Sequence, residues 1–206
     1  MLRIDPLRPQ WTQVRLAAAA IRRGEVLAIP TDTVYGLAGD PFRRGVVERI
    51  FRMKQRAEHQ PILLLIDSLD RLRGLVRDMP RGLHSIASRF WPGPLTIVLP
   101  AADGVPRSVT AGTGTVAVRW PASPLACALI REAGAPLTGT SANVSGRPAA
   151  LTAQEAARQT GEGVYYVVDG GRSRLRQPST LLDLTGKPRI LRIGAVPAAR
   201  LKMYLS

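Results

Sequence analysis

Cysteine and histidine are almost absent from this chain of 206 residues, which contains one cysteine, Cys127, and two histidines, His59 and His84. A single cysteine excludes a disulfide bond within the chain and any metal site built on paired cysteines. The two histidines are too far apart in sequence to form a local metal-binding motif. With so few candidate nucleophiles and bases, a covalent catalytic mechanism has little support. The scarcity of cysteine is typical of a protein from a reducing compartment.

Long apolar runs are also missing. No run approaches the roughly 20 residues that a membrane-spanning helix needs. The first residues, Met1 to Pro6, carry early charge and lack the apolar segment of a secretory signal. We therefore expect a soluble, cytoplasmic protein with no membrane partner.

The familiar nucleotide-binding motifs do not occur in a usable form. The segment Gly112–Ala117 matches the loose dinucleotide fingerprint, but it precedes a predicted strand, whereas the fingerprint must follow one and open a helix. The chain has no phosphate-binding loop of the Gly-x-x-x-x-Gly-Lys-Ser/Thr type, and it has no nucleophile elbow. These motifs therefore identify no active site.

Acidic residues are outnumbered, with 15 aspartates and glutamates against 29 lysines and arginines, which gives a net charge of +14. Only Lys54, Lys187 and Lys202 are lysines, so 26 of the 29 basic residues are arginine. Such a charge attracts nucleic acid or a polyanionic ligand. The alternative is a solvated surface in an arginine-rich proteome, and we favour an anionic partner.

The pattern of apolar residues alternates between the periods of strands and helices, which predicts an α/β fold. Short connections and a hairpin-like C-terminal part favour a mixed sheet with flanking helices, and no linker divides the chain, so we predict one domain over 1–206. Predicted helices are 11–23, one opening at Asp40–Pro41, 68–76, 81–90, 124–133, 152–159 and 197–205. Predicted strands are 26–30, 62–66, 95–99, 115–119, 164–169, 180–184 and 189–193.

The first predicted strand ends in a cluster of polar residues. The apolar run Val26–Ile29 is followed by Pro30, which cannot continue a hydrogen-bonded ladder, and then by Thr31, Asp32 and Thr33. In open α/β sheets ligands bind just beyond the carboxyl ends of strands. Pro-Thr-Asp-Thr is equally compatible with an ordinary polar turn.

Other polar and basic residues also stand at the predicted ends of elements. Lys54 ends a helical row of apolar residues, where it either extends along the surface to solvent or directs its charge into a cleft. Arginine forks and hydroxyl-rich turns are suited to phosphates and carboxylates. Together these residues indicate a positively charged cleft for a phosphorylated ligand. They are Thr31, Thr33, Lys54, Arg56, Arg119, Thr140, Ser141, Asn143, Ser179, Thr180 and Arg192.

Seven segments of the chain resemble, in the same order, the motifs of the YrdC/TsaC family of threonylcarbamoyl-AMP synthases. They cover nearly the whole chain, and their shared order makes the resemblance far more specific than any one of them. The segments are Pro30–Leu37, Lys54–Arg56 with Pro61, Trp91–Thr96, Val116–Arg119, Thr140–Asn143 with Gly146, Ser179–Thr180 and Leu191–Gly194.

The resemblance implies a nucleotidyltransferase that converts ATP, L-threonine and bicarbonate into threonylcarbamoyl-AMP and pyrophosphate. It implies Mg²⁺ accompanying ATP, no tightly bound organic cofactor, and use of the product by a downstream threonylcarbamoyl transferase complex that modifies tRNA. It also implies a twisted, YrdC-like α/β fold around a large basic concave cleft, with tRNA or double-stranded RNA as a partner of that surface. Longer members carry a second C-terminal domain, and we expect none here.

The resemblance also assigns roles by position. Lys54, Arg56, Ser141, Asn143 and Arg192 would hold ATP, with Thr115 a weaker candidate. Thr33, Arg119 and Ser179 would hold threonine, Arg119 reaching its carboxylate. No metal ligand is assigned, and Asp32 is the nearest carboxylate for the proton of the threonine amine.

Two departures from the family pattern affect the predicted threonine site. Leu65 stands where some members have histidine, and Gln60 where some have asparagine. Three rival hypotheses are a non-catalytic RNA-binding module, a YciO-like relative and, more remotely, a carbamoyl-transfer domain of the hydrogenase-maturation type. The presence of both Lys54-x-Arg56 and Ser141-Ala-Asn143 argues against the YciO-like hypothesis. The retention of Thr33, Arg119 and Ser179 argues against a pure RNA-binding module, because RNA binding alone does not require an amino-acid pocket.

Overall fold

The computed structural model describes residues 1–55 and 60–205, which fold into strands, α-helices and short 3₁₀ helices. The strands are β1 (Leu2–Arg3), β2 (Leu27–Ile29), β3 (Gly36–Ala38), β4 (Leu63–Leu65), β5 (Leu95–Pro100), β6 (Thr115–Arg119), β7 (Leu137–Thr138), β8 (Thr140–Ser141), β9 (Tyr166–Asp169), β10 (Thr180–Asp183) and β11 (Arg189–Arg192). The α-helices are α1 (Trp11–Arg22), α2 (Val46–Lys54), α3 (Leu83–Phe90), α4 (Arg107–Thr110), α5 (Pro124–Ala133), α6 (Ala153–Thr160) and α7 (Ala198–Leu201). The 3₁₀ helices are Leu69–Gly74, Gly161–Gly163 and Lys202–Tyr204.

The strands form two mixed sheets. One has five strands in the order β1–β9–β2–β3–β8, and the other has six in the order β11–β10–β5–β6–β4–β7. Both contain parallel and antiparallel pairs; for example, β10 runs parallel to β5 and antiparallel to β11. The predicted mixed α/β architecture is confirmed, with two sheets where the sequence indicated one.

Gly139 lies at one of the points where the chain passes between the two sheets. It lies between β7 of the six-stranded sheet and β8 of the five-stranded sheet. A Cβ atom added at this glycine would lie 2.6 Å from Cγ of Leu65, so any larger residue would require that buried side chain to move. The sequence does not reveal the crossing, because the two strands it joins have two residues each.

The predicted start of α2 at Asp40–Pro41 is wrong. The carboxylate of Asp40 accepts a hydrogen bond from the backbone N–H of Phe42, which closes a turn in place of a helix. The helix begins at Val46, after Gly45, whose φ of +77° belongs to the left-handed region. The region 68–76, predicted as a helix, contains the 3₁₀ helix Leu69–Gly74.

Two hydrophobic clusters support the two sheets. In the first, the small and aliphatic residues of α1 pack with α5 against the five-stranded sheet. In the second, the apolar faces of α2 and α3 pack with residues of the six-stranded sheet such as Ile97 and Val118. This packing leaves the opposite face of the six-stranded sheet to line a cavity. None of the helices in the described ranges is long and apolar enough to cross a membrane.

Candidate active site

A cavity of about 410 Å³ lies on the face of the six-stranded sheet that is opposite the second hydrophobic cluster. The turn at Thr33–Val34 and the segment 139–146 also line it. Seven of the nine residues to which the sequence assigned a ligand line it, although they are spread over most of the chain. They are Thr33, Lys54, Arg119, Ser141, Asn143, Ser179 and Arg192.

The floor of the cavity follows from strand periodicity. In β6, Val116 and Val118 are buried in the core, so the alternate residues Ala117 and Arg119 face the cavity. Ala117 pairs with Leu63 of β4, which lines the same face. The small side chain of Ala117 leaves room that a larger residue would fill.

Arg119 is fixed at the buried end of the cavity by three hydrogen bonds. Its Nε donates to the carbonyl of Gly93 at 2.9 Å, its Nη1 to Oγ1 of Thr33 at 2.7 Å, and its Nη2 to Oδ1 of Asp32 at 2.5 Å. Desolvation by burial lowers the pKa of Arg119 below its usual value, and the carboxylate of Asp32 opposes that effect. The guanidinium is therefore a charged group with a single, protein-defined orientation.

The turn after β2 supplies two of these three contacts. The hydroxyls of Thr31 and Thr33 lie 2.9 Å apart, and Thr31 donates to the carbonyl of Val34 at 2.7 Å. Thr31 also accepts from the backbone N–H groups of Thr33 and Val34. The Pro-Thr-Asp-Thr segment is thus a hydrogen-bonded turn that also presents Thr33 to the cavity.

Lys54, the last residue of α2, is held by oxygens of the turn that contains β8. Its Nζ lies 2.6 Å from the carbonyl of Ser141 and 2.8 Å from that of Asn143, and 3.1 Å from Oδ1 of Asn143. The backbone N–H of Ser145 in turn donates to the carbonyl of Lys54 at 2.9 Å. Lys54 is buried and joins the end of α2 to this turn, so it does not extend to bulk solvent.

Asn143 organises the same turn. Its Oδ1 accepts from the hydroxyl of Ser141 at 2.5 Å, and its Nδ2 donates to the carbonyls of Val144 and Arg147 at 3.1 and 2.6 Å. The hydroxyl of Ser141 and the backbone of the turn line the cavity beside Lys54. Lys54, Ser141 and Asn143, three of the predicted ATP-binding residues, therefore form one connected hydrogen-bonded unit.

Arg192, near the end of β11, lies at the more exposed rim. Its Nη2 donates to the carbonyl of Ser179 at 2.9 Å and lies 3.4 Å from the hydroxyl of that residue. Partial burial lowers the pKa of Arg192 through desolvation. A Cβ atom at Gly194 would lie 2.3 Å from the carbonyl of Pro178, so glycine is required where the chain returns past this rim.

Thr96 is a cavity residue to which the sequence assigned no ligand. It lies in β5, and its hydroxyl is 2.7 Å from that of Ser179, with both residues buried. The sequence signal that could have identified it is a single threonine in the otherwise apolar strand Leu95–Pro100. Alternation along the strand places its side chain on the face opposite that of Ile97.

Two predicted residues are not placed in the cavity. Thr115 is at the opposite end of β6 from Arg119, and its hydroxyl lies 2.9 Å from that of Thr113, outside the cavity lining. Arg56 lies outside the described residues. Of the two departures, Gln60 lines the cavity, and Leu65 is buried against Gly139 in the first hydrophobic cluster.

The described lining of the cavity carries three basic side chains, those of Lys54, Arg119 and Arg192, and it contains no carboxylate. Within residues 1–55 and 60–205 no three histidine, cysteine, aspartate or glutamate side chains are grouped so as to hold a metal ion. Threonine and serine hydroxyls and backbone groups provide the remaining polar surface. Such a site is suited to anionic ligands, namely phosphates and carboxylates.

The fold and the cavity together define a mixed α/β protein with a basic, hydroxyl-rich cavity suited to a small anionic ligand. Residues 19–194 match the model of the Sua5/YciO/YrdC family, described as telomere recombination. This chain belongs to that family.

Curated relatives share much of the sequence. The threonylcarbamoyl-AMP synthase of Pyrococcus abyssi is 40% identical over 197 residues, which are 95% of this chain and 58% of that protein. The synthase of Thiobacillus denitrificans is 43% identical over 170 residues, which are 82% of this chain and 90% of that protein. The chain thus spans about three fifths of the Pyrococcus relative and most of the shorter one.

Solved structures of the family share the fold. P. abyssi Sua5 complexed with L-threonine superposes with a TM-score of 0.94 at 38% identity, covering 98% of this chain and 59% of that one. Escherichia coli YciO superposes with a TM-score of 0.87 at 26% identity, covering 96% of each chain. The resemblance stated from the sequence motifs is confirmed at the level of the family.

Proposed function

We propose that this chain is a threonylcarbamoyl-AMP synthase, a nucleotidyltransferase that uses ATP, L-threonine and bicarbonate and releases pyrophosphate. One observation carries the proposal. The Arg119–Thr33 group, suited to an amino-acid carboxylate, and the Lys54–Ser141–Asn143 group, suited to a nucleotide, line the same cavity. The names of the relatives, and the L-threonine in the Pyrococcus structure, support the same activity.

The chemistry needs positioning more than it needs a nucleophile on the protein. The threonine amine attacks bicarbonate with loss of water, or carbon dioxide with loss of a proton, to give a carbamate. The carbamate oxygen then attacks the α-phosphorus of ATP, displacing pyrophosphate. Arg119 would orient the threonine carboxylate, while Lys54 and Arg192 would stabilise charge on the phosphates. Arg56 keeps its predicted place among the ATP-binding residues.

Magnesium enters this scheme as part of the nucleotide substrate. The described lining contains no carboxylate. Mg²⁺ in ATP-dependent enzymes keeps several waters and is bound by substrate phosphates together with one or two carboxylates, so here the phosphates would be its main ligands. The protein would then bind the MgATP complex through its basic and hydroxyl groups. With a net charge of +14, tRNA or double-stranded RNA remains the expected macromolecular partner, and a threonylcarbamoyl transferase complex the expected consumer of the product.

Pyrophosphate release from ATP tests the proposal. We expect release that requires both L-threonine and bicarbonate, with threonylcarbamoyl-AMP detected by mass spectrometry. Release that ignores threonine would exclude the synthase. If no release occurs and RNA is bound, the non-catalytic RNA-binding module is the better explanation.

A further inference from the structure

Asp32 lies behind the cavity and does not line it. Its side chain is 2% exposed and that of its partner Arg119 is 3% exposed, so the ion pair between them is shielded from solvent. Arg119 and Thr33 line the cavity, whereas Asp32 contacts it only through Arg119. The backbone carbonyl of Asp32 also accepts from the N–H of Leu175 at 2.9 Å, so this residue is held at both ends.

This placement does not suit a proton acceptor for the threonine amine. Oδ1 of Asp32 accepts from Arg119. Oδ2 is buried and has no hydrogen-bond partner among the residues that the structure describes. A base must reach the proton that it removes, directly or through one water. Asp32 is not among the residues that line the cavity, so its carboxylate is not placed beside a ligand bound there.

We propose that Asp32 is a positioning residue, which fixes the guanidinium of Arg119 in the orientation that receives the carboxylate of the amino-acid substrate. The inference rests on the proposed function, because it assumes that threonine binds at Arg119. It assigns to the aspartate of the Pro-Thr-Asp-Thr turn a role in binding affinity and no role in proton transfer.

The hydrogen-bond count of Arg119 supports this role. A guanidinium has five N–H groups, and the described contacts to Gly93, Thr33 and Asp32 use three of them. One N–H on each terminal nitrogen remains, and two N–H groups are what a bidentate carboxylate contact requires. Because the protein already orders this side chain, little further conformational entropy is lost when a ligand binds.

An electrostatic role and a positioning role for Asp32 predict opposite changes in threonine affinity when its carboxylate is neutralised. The carboxylate reduces the positive potential at the buried end of the cavity, so a purely electrostatic view predicts tighter threonine binding when it is neutralised. If Asp32 positions Arg119, neutralising it leaves a buried guanidinium without its counter-charge, and the side chain moves from its site. Threonine binding is then weaker although the cavity has become more positive.

Two variants separate these views. We would measure the dissociation constant of L-threonine by calorimetry for the wild-type chain, Asp32→Asn and Asp32→Glu, and the kinetic constants for threonine and ATP. Asn removes the charge at nearly constant shape, and Glu keeps the charge but displaces it by one methylene. A positioning role predicts at least tenfold weaker threonine binding in both variants, kcat within about threefold of wild type, and an unchanged KM for ATP.

The control is Asp183→Asn, which breaks the ion pair of Asp183 with Arg189 away from the cavity and should leave threonine binding unchanged. Wild-type affinity in Asp32→Glu, or equal or tighter binding in Asp32→Asn, would overturn the inference. Circular dichroism and ATP affinity report whether each variant is folded, and if Asp32→Asn does not fold, Asp32→Glu decides. Failure of the wild-type chain to bind threonine would instead reject the proposed function.

Discussion

The two ends of the cavity hold their arginines in different ways. At the buried end, Arg119 is paired with the carboxylate of Asp32 and is almost completely enclosed. At the rim, Arg192 is bonded to the carbonyl of Ser179, and within the described ranges no carboxylate forms a salt bridge with it. The buried arginine has a compensated charge and three hydrogen-bonded partners, whereas in the described part of the chain the rim arginine is hydrogen-bonded to Ser179 alone.

This difference matches two kinds of ligand. A carboxylate of a small amino acid is recognised by geometry, which a locked guanidinium provides. A polyphosphate carries several charges, which an uncompensated cation attracts over a longer distance. The positive charge of Arg192 also lowers the pKa of Arg119, after the larger effect of burial. An anion bound between the two arginines would therefore stabilise both in their charged forms.

Replacing each of the two arginines by methionine tests this comparison and has the largest expected effect. Arg119→Met should weaken threonine binding by at least a hundredfold, because it removes the predicted carboxylate contact and leaves Asp32 buried without its partner. Arg192→Met should raise the KM for ATP by about tenfold, since a hydrogen bond to a charged group contributes about 1.5–3 kcal/mol. Steady-state KM values for both substrates measure the two effects.

The contrast depends on which substrate responds. Arg119→Met should leave the affinity for ATP within a few fold of wild type, as measured by calorimetry on folded protein. Equal losses for both substrates in both variants would mean that the two ends of the cavity do not act separately.

The second prediction concerns stability. Asp32→Asn should lower the free energy of unfolding by about 3–5 kcal/mol, because it breaks a buried ion pair and leaves an uncompensated charge. Asp183→Asn should cost about 1 kcal/mol or less through its ion pair, since Arg189 is 71% exposed. Urea unfolding of the two variants provides the comparison, and equal midpoints would contradict it.

The sequence predicted which residues belong to this site better than it predicted which of them contact one another. Short motifs that share an order along the chain identified residues such as Thr33 and Ser179, and the structure brings both to one cavity. The pair of Asp32 and Arg119 spans 87 positions, and no local period reveals which distant side chains meet. Pairing of that kind is set by the order of strands in the sheets.

Lys54 shows a further limit of sequence reasoning. Its place at the end of an apolar helical row allowed either a solvent-directed side chain or a charge in a cleft. The structure places its ammonium at the cavity among oxygens of Ser141 and Asn143. Its predicted contact with phosphate stays a prediction, and the ordering of the turn by Lys54 had no signal in the sequence.

Ser179 contacts groups at both ends of the cavity. Substitution of its neighbour Thr96 is the prediction with the smallest expected effect. The hydroxyl of Ser179 lies beside that of Thr96, while its carbonyl accepts from Arg192. Thr96→Val keeps the shape of the side chain and removes one hydrogen bond, which contributes about 0.5–1.5 kcal/mol. The KM for threonine should therefore rise by a few fold, with a smaller change in the KM for ATP.

Thr115→Val is the matched control for that substitution. Thr115 lies in the neighbouring strand β6, and its hydroxyl contacts Thr113 outside the cavity. Both KM values should stay at the wild-type level. A raised KM for ATP would instead support the predicted role of Thr115 in ATP binding. If Thr96→Val instead affected ATP more than threonine, Ser179 would belong with Arg192 at the rim, and the boundary between the two ends would run through β5.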